Sequence, residues 1–230
     1  MPAFSKIRTV LCDLDGVVWL AHHPIAGSVE AVERMRASGR RVLFVTNNSA
    51  ATVAGHAAAL ELVGIRAVGD VVSSSMAAAR LVEAGERVLV TGGPGVEEAI
   101  EQRGATAIRN SGGAVKPPID AVVVGLHRDF DYQILASAAA AVRAGARLIG
   151  TNGDTTFPPP EGLEPGGGAI LAAVEAASGV VAEVAGKPHR PMAALIGETL
   201  SSASRPFDPT GVLMVGDRPE TDGLFAAEIQ

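Results

Sequence analysis

The chain has 230 residues, 47% of them hydrophobic and 19% charged, which is too apolar for intrinsic disorder and suits one large domain or a core carrying a second, smaller one. Lys and Arg number 19 against 25 Asp and Glu, so the formal charge of −6 excludes the basic footprint of a nucleic-acid binder. No apolar run reaches the roughly 20 residues of a membrane helix and the N-terminus lacks a signal-peptide core, so no membrane partner is expected and the expected compartment is the cytoplasm.

In chain order, apolar β-branched runs alternate with stretches of helical period. The run Thr9–Leu14 predicts a strand, Val29–Arg36 a helix, Val42–Val45 a strand, Ala51–Val63 a helix, Val71–Ser74 a strand and Met76–Ala84 a helix. A second series follows, with strands at Arg87–Thr91, Ala121–Leu126 and Arg147–Thr151 and helices around Val96–Gln102, Tyr132–Ala144 and Gly168–Ala177. Gly and Pro cluster before the last of these, at Pro158–Pro160 and Pro165–Gly168. The first style then returns, with a strand at Val181–Val184, a helix after Pro191, a strand at Val212–Val215 and a last helix capped by Thr221. Strand–helix alternation with short turns argues an α/β fold built on parallel sheet. The break in style predicts a core of residues 1–86 and 181–230 interrupted by an inserted α/β domain, 87–180, a size within the usual domain range.

Several polar clusters each follow an apolar strand, the position at which open α/β sheets bind ligands. In Asp13-Leu14-Asp15-Gly16 the two carboxylates, two residues apart on an extended chain, face the same way. Their repulsion is relieved by a cation or by a proton on one of them, and both states are chemically useful. Thr46-Asn47-Asn48-Ser49 offers hydroxyl, amide and backbone N–H groups suited to phosphate oxygens. Gly186-Lys187-Pro188 adds one cation, and Gly216-Asp217-Arg218 with Asp222 adds further hard oxygen ligands of the kind magnesium takes.

In their order and placement these clusters resemble the haloacid dehalogenase superfamily of aspartate-nucleophile phosphatases, specifically the branch with a large α/β cap that includes NagD-type, p-nitrophenyl phosphate and glycerol 3-phosphate phosphatases. The resemblance runs from Val10 to Asp222 and implies a Rossmann-like three-layer core with a parallel sheet and an inserted cap. It further implies a magnesium-dependent hydrolase of small phosphate esters. Carried over by residue, Asp13 is the nucleophile and Asp15 the general acid and base. Thr46, Asn47 and Asn48 with Lys187 hold the phosphoryl group, and Asp13, Asp15, Asp217 and Asp222 form the metal site. Asp15 marks a phosphatase rather than a dehalogenase or an ion pump. The class-different alternative is a non-hydrolysing phospho-acceptor or magnesium-dependent binding module, against which Asp15 and the cap both argue.

In the cap, Asn152 and Asp154 follow the strand Arg147–Thr151 and are expected to contact the leaving group. Cys12, Trp19, Met35 and Met76 read as packing residues, the five histidines as scattered surface or loop residues without zinc-ligand spacing, and Arg128 as exposed. Gly92–Gly95 and Gly166–Gly168 lack dinucleotide-loop spacing. The chain departs from the family at Ala21, where Gly is common, and at Gln230, where the family continues through a helix to another core strand. A C-terminally truncated core is therefore expected, with the Val212–Val215 edge unpaired, stability reduced, homo-oligomers favoured and the phosphate site still assembled.

Overall fold

Alternate residues along each central strand enter different apolar layers, so strands covered on both faces read as unbroken apolar runs. The computed structural model describes residues 3–116, 118–157, 162–202 and 206–230; Pro158–Pro160 lie outside these. The chain opens with β1 (Thr9–Cys12), a short hairpin of β2 (Trp19–Leu20) and β3 (His23–Pro24), then α1 (Ser28–Ala37), β4 (Arg41–Thr46), α2 (Val53–Leu62), β5 (Val71–Ser73) and α3 (Ser74–Ala79). The inserted unit comprises β6 (Arg87–Thr91), α4 (Pro94–Gln102), β7 (Thr106–Arg109), β8 (Ala121–Val124), α5 (Tyr132–Arg143), β9 (Arg147–Gly150), the hairpin β10 (Thr156–Phe157) and β11 (Glu164–Pro165), α6 (Gly167–Ser178) and β12 (Glu183–Val184). The chain then returns through α7 (Arg190–Leu200), β13 (Val212–Val215), a π-helical turn at Pro219–Gly223 and α8 (Leu224–Ile229).

Two parallel sheets result, β13-β1-β4-β5 in the core and β12-β9-β8-β6-β7 in the cap. On one face of the core sheet Val10, Cys12, Val42 and Phe44 pack with Val32 of α1 and Leu60 of α2. Leu11, Leu43 and Val45 face the other way, into a cluster that holds α3, α7 and α8 and continues to Val88, Val90, Ala121 and Val123 of the cap sheet. The cap's outer face, Leu89, Val122 and Val124, is covered by α5 and α6. Core and cap thus share one apolar middle layer. No helix of the described residues is long and apolar enough to cross a membrane.

The structure shifts three expectations. The strand expected to rejoin the core at Val181–Val184 instead pairs with the cap, Glu183 beside Ile149 and Val184 beside Gly150. An apolar run of this kind suits either sheet, and backbone pairing, absent from composition, decides between them. Thr221 does not cap the last helix; it lies buried inside the π-helical turn, where its N–H donates to the Arg218 carbonyl at 3.2 Å. β7, with the pattern Thr-Ala-Ile-Arg, is an additional cap edge strand too short and too mixed for periodicity to mark.

The seam between core and cap is close backbone packing. Gly95 at the start of α4 donates its N–H to the Ala50 carbonyl at 3.0 Å, and a Cβ at Gly95 would overlap the Ala51 and Ser49 carbonyls. Gly153 faces open space. Although Ala favours a helix interior over Gly, Gly95→Ala is expected to lower stability by about 1–3 kcal/mol through overpacking against backbone. Gly153→Ala is expected to stay within about 0.5 kcal/mol. Urea unfolding of the two variants checks the contrast, and equal midpoints would refute the close seam.

Candidate active site

The site forms at the C-terminal ends of β1, β4 and β13 and in the turn between β12 and α7, so each polar cluster arrives on a strand that fixes its direction. Asp13 remains in register with the sheet, its N–H donating to the Val215 carbonyl at 2.9 Å. Its Oδ1 accepts from the Leu14 N–H at 2.8 Å and lies 2.9 Å from Lys187 Nζ; Oδ2 takes neither contact.

Lys187 is 2% exposed, and its ammonium also donates to Asp222 Oδ1 at 2.7 Å. The second oxygen of Asp222 accepts from the Arg218 N–H at 3.2 Å. Burial works to lower the Lys187 pKa, but Asp13 and Asp222 outweigh it and hold the ammonium above its usual value. Asp13 is pushed up to about 7, chiefly by burial, with Lys187 opposing and Asp222 reinforcing the shift. Asp217, on the same side, is raised by burial and then by the charge of Asp222.

One ligand oxygen from each of Asp13, Asp217 and Asp222 falls within 4.8 Å of the others. Three carboxylates so placed repel one another, and a hard divalent cation takes such a donor set. Glycine makes the approach feasible. Gly16 has φ +84°, and a Cβ there would overlap the Asp217 carboxylate, while one at Gly216 would overlap Asp222.

Asn47 is the organiser of the loop after β4. Its Oδ1 accepts from the Lys187 N–H at 2.9 Å, and its Nδ2 donates to the Lys187 carbonyl at 3.0 Å and to Asp154 Oδ2 at 3.0 Å. The Asn47 carbonyl accepts from Ser74 Oγ and from Asn152 Nδ2, both at 2.8 Å. Thr46 Oγ1 accepts from the Asn48 N–H at 3.0 Å, leaving its own hydroxyl hydrogen to donate. Asn48 in turn holds the Ala50 N–H through Oδ1 at 3.1 Å.

Asp13, Asp15, Thr46, Asn47, Asn48, Asn152, Asp154, Lys187 and Asp217 therefore converge on one cavity of about 230 Å³, and Asp222 stands behind it through Lys187. Asn152 and Asp154 reach the cavity wall while their side chains are tied to the β4 loop. Arg128 also lines it, its guanidinium 5.5 Å from the Phe157 ring centroid and 3.3 Å from Glu164. Sequence reasoning passes over Arg218, whose guanidinium donates to the Thr156 carbonyl at 3.2 Å and so joins the β13 loop to the cap hairpin. It also reads Trp19 as packing alone, yet the buried indole N–H donates to Asp15 Oδ1 at 3.0 Å. The signal was present: a buried indole needs an acceptor.

The sequence matches a family model described as haloacid dehalogenase-like hydrolase over residues 10–106 and a HAD-hydrolase-like model over residues 184–230. It is 37% identical over 218 residues to D-glycerol 3-phosphate phosphatase of Mycobacterium tuberculosis, covering 93% of this chain and 58% of that protein. It is also 37% identical over 234 residues to chronophin of Mus musculus, covering 96% of this chain and 77% of the relative. Among solved structures, glycerol phosphate phosphatase of M. tuberculosis in complex with calcium superposes with a TM-score of 0.86 at 33% identity, over 99% of this chain and 65% of that one. The p-nitrophenyl phosphatase of Archaeoglobus fulgidus superposes with a TM-score of 0.85 at 26% identity, over 97% of this chain and 83% of that one. The chain thus spans less than two thirds of the mycobacterial relative and most of the others.

Because Lys187 is the shared partner of two enclosed carboxylates, its removal leaves both uncompensated. Lys187→Met, similar in length and uncharged, is expected to cost about 3–5 kcal/mol of folding stability without added metal. Chemical denaturation measures it, and a loss no larger than that of an exposed lysine would contradict the buried pairing.

Proposed function

The chain belongs to the haloacid dehalogenase-like hydrolases, and from that membership we propose that it is a magnesium-dependent phosphatase of small phosphorylated metabolites, working through a phosphoaspartate at Asp13. The observation that carries this reading is the gathering of Asp13 with the Lys187 ammonium and the carboxylates of Asp217 and Asp222, with Asp15 at the same cavity. The donor set fits magnesium, with hard carboxylate oxygens clustered within 4.8 Å and in mutual repulsion. Asp13, Asp217 and Asp222 would hold it together with the Asp15 backbone carbonyl. Bound there, magnesium offsets the charge of the phosphoryl oxygens and of the carboxylates.

Asp13 attacks phosphorus, forming a carboxylate O–P bond as the ester P–O bond breaks. Two unit charges 4 Å apart repel by about 4 kcal/mol at an effective dielectric of 20, so an attacking carboxylate needs cations at hand. Lys187 supplies one from a position locked by Asn47, which binds both its backbone N–H and its carbonyl. The Thr46 hydroxyl and the Asn47 N–H receive phosphoryl oxygens. Asp15 donates its proton to the departing alkoxide, then takes one from the water that attacks phosphorus and releases Asp13.

The cavity of about 230 Å³ is below the roughly 300–1,000 Å³ of sites for drug-sized ligands and suits a small ester. The names of two relatives, D-glycerol 3-phosphate phosphatase and the acid sugar phosphatase of Staphylococcus aureus, support a polyol or sugar leaving group. Arg128, Phe157 and Glu164 then offer charge, an aromatic face and an acceptor on the cap side. A cytoplasmic setting fits the single cysteine, Cys12, whose thiol burial pushes up to about 12, away from redox use.

Purified protein is expected to hydrolyse p-nitrophenyl phosphate and glycerol 3-phosphate with magnesium and to stop with a chelator. Asp13→Asn is expected to abolish turnover, and Asp15→Asn to accumulate phosphoprotein visible as an added phosphate mass. A folded, metal-loaded sample without turnover on any ester would refute the reading.

A further inference from the structure

Trp19 is the only tryptophan in the chain, and it is 1% exposed. Its ring packs with Val10, Leu14 and Phe44 in the layer beneath α1 and α2, but its one polar atom points elsewhere: Nε1–H donates to Asp15 Oδ1 at 3.0 Å. The backbone holds this geometry from both ends. Trp19 N–H donates to the Leu14 carbonyl at 3.2 Å and the Trp19 carbonyl accepts from Gly16 N–H at 2.8 Å, so the loop that carries Asp15 closes on the tryptophan that binds it. Above the indole, the His22 ring lies with its centroid 4.9 Å away, held by two successive left-handed residues, Ala21 at φ 46° and His22 at φ 65°. Such backbone is costly for residues with a Cβ and persists where the surroundings impose it.

An indole N–H only donates, and buried without an acceptor it costs about 1–3 kcal/mol. Here the acceptor is the carboxylate that the phosphatase reading makes the proton shuttle, and no donor among the described residues reaches Asp15 Oδ2. We propose that Trp19 is a positioning residue for Asp15: it fixes the carboxyl rotamer and reserves Oδ1 as an acceptor, so that the shuttled proton resides on Oδ2, facing the ester oxygen. The inference rests on the phosphatase reading and adds a residue to its acid–base step. In that step the Oδ2–H bond breaks as the proton passes to the ester oxygen and the P–O bond opens; Oδ2 then regains a proton from water.

The test separates positioning from packing by leaving group. An alkoxide must be protonated as it departs, whereas p-nitrophenolate leaves unaided, and kcat/KM reports the steps up to alcohol release. Trp19→Phe keeps the ring and removes the donor. Its kcat/KM on glycerol 3-phosphate is expected to fall about tenfold, the scale of one hydrogen bond to a charged group, while p-nitrophenyl phosphate is essentially unchanged. Equal losses on the two esters, or no loss on either, overturn the assignment while the wild type's turnover leaves the phosphatase reading standing. A wild-type chain inert toward both esters removes that reading and this one with it.

A second measurement covers the case in which Trp19→Phe fails to fold. The fluorescence of the single indole in the otherwise native chain is expected to change on Asp15→Ala, which takes away its acceptor. An unaltered spectrum in folded Asp15→Ala overturns the contact.

Discussion

A buried ammonium shared between two carboxylates organises this molecule. Lys187 Nζ lies 2.9 Å from Asp13 and 2.7 Å from Asp222, in surroundings where an isolated charge is untenable. Each partner arrives from a different part of the chain: Asp13 after β1, Asp222 in the π-helical turn after β13, and Lys187 where the cap returns to the core. The pairing holds only if all of these segments meet. The proposed chemistry draws on the same constraint, because the ammonium held by Asp222 stands 2.9 Å from the carboxylate assigned as nucleophile.

The cap belongs to this arrangement rather than being attached to it. An apolar layer built from Leu11, Leu43 and Val45 on one sheet and Val88, Val90 and Val123 on the other leaves the two units sharing a core. Across the polar end of the seam, Asn47 touches Lys187 and Asp154 with one amide, and Asn152 returns a hydrogen bond to the Asn47 carbonyl. The cap wall of the cavity is thus joined to the loop after β4, which the proposed reaction uses for the phosphoryl group. Through Asn47, the main chain that carries Lys187 is linked to Asp154 of the cap. In the proposed reaction, Asp154 is therefore tied by Asn47 to the same loop that carries the phosphoryl-binding groups.

The strands were legible because β1, β4, β6 and β8 are apolar on both faces, and the polar clusters were legible because they follow such strands. Asp13, Thr46 and Asp217 share one cavity because the parallel strands of the core sheet deliver their C-terminal ends to the same side, and Lys187 joins them from the turn after β12. Three features were not legible. The allegiance of Glu183–Val184 depends on backbone pairing that Gly150 accepts and composition does not encode. The π-helical turn at Pro219–Gly223 answers a tertiary demand, since it buries Asp222 against Lys187. Trp19 satisfied an apolar pattern and a polar contact together, and pattern reading registers only the first.

The central claim, that Asp13 is covalently phosphorylated rather than merely lining a pocket for water attack, is tested most directly by stereochemistry at phosphorus. A phosphate ester made chiral with oxygen isotopes undergoes two in-line displacements if Asp13 is the nucleophile, one to form the phosphoaspartate and one to hydrolyse it. Transfer of that phosphoryl group to an acceptor alcohol, followed by configurational analysis, is expected to give overall retention. Inversion would mean a single direct displacement and would contradict the account.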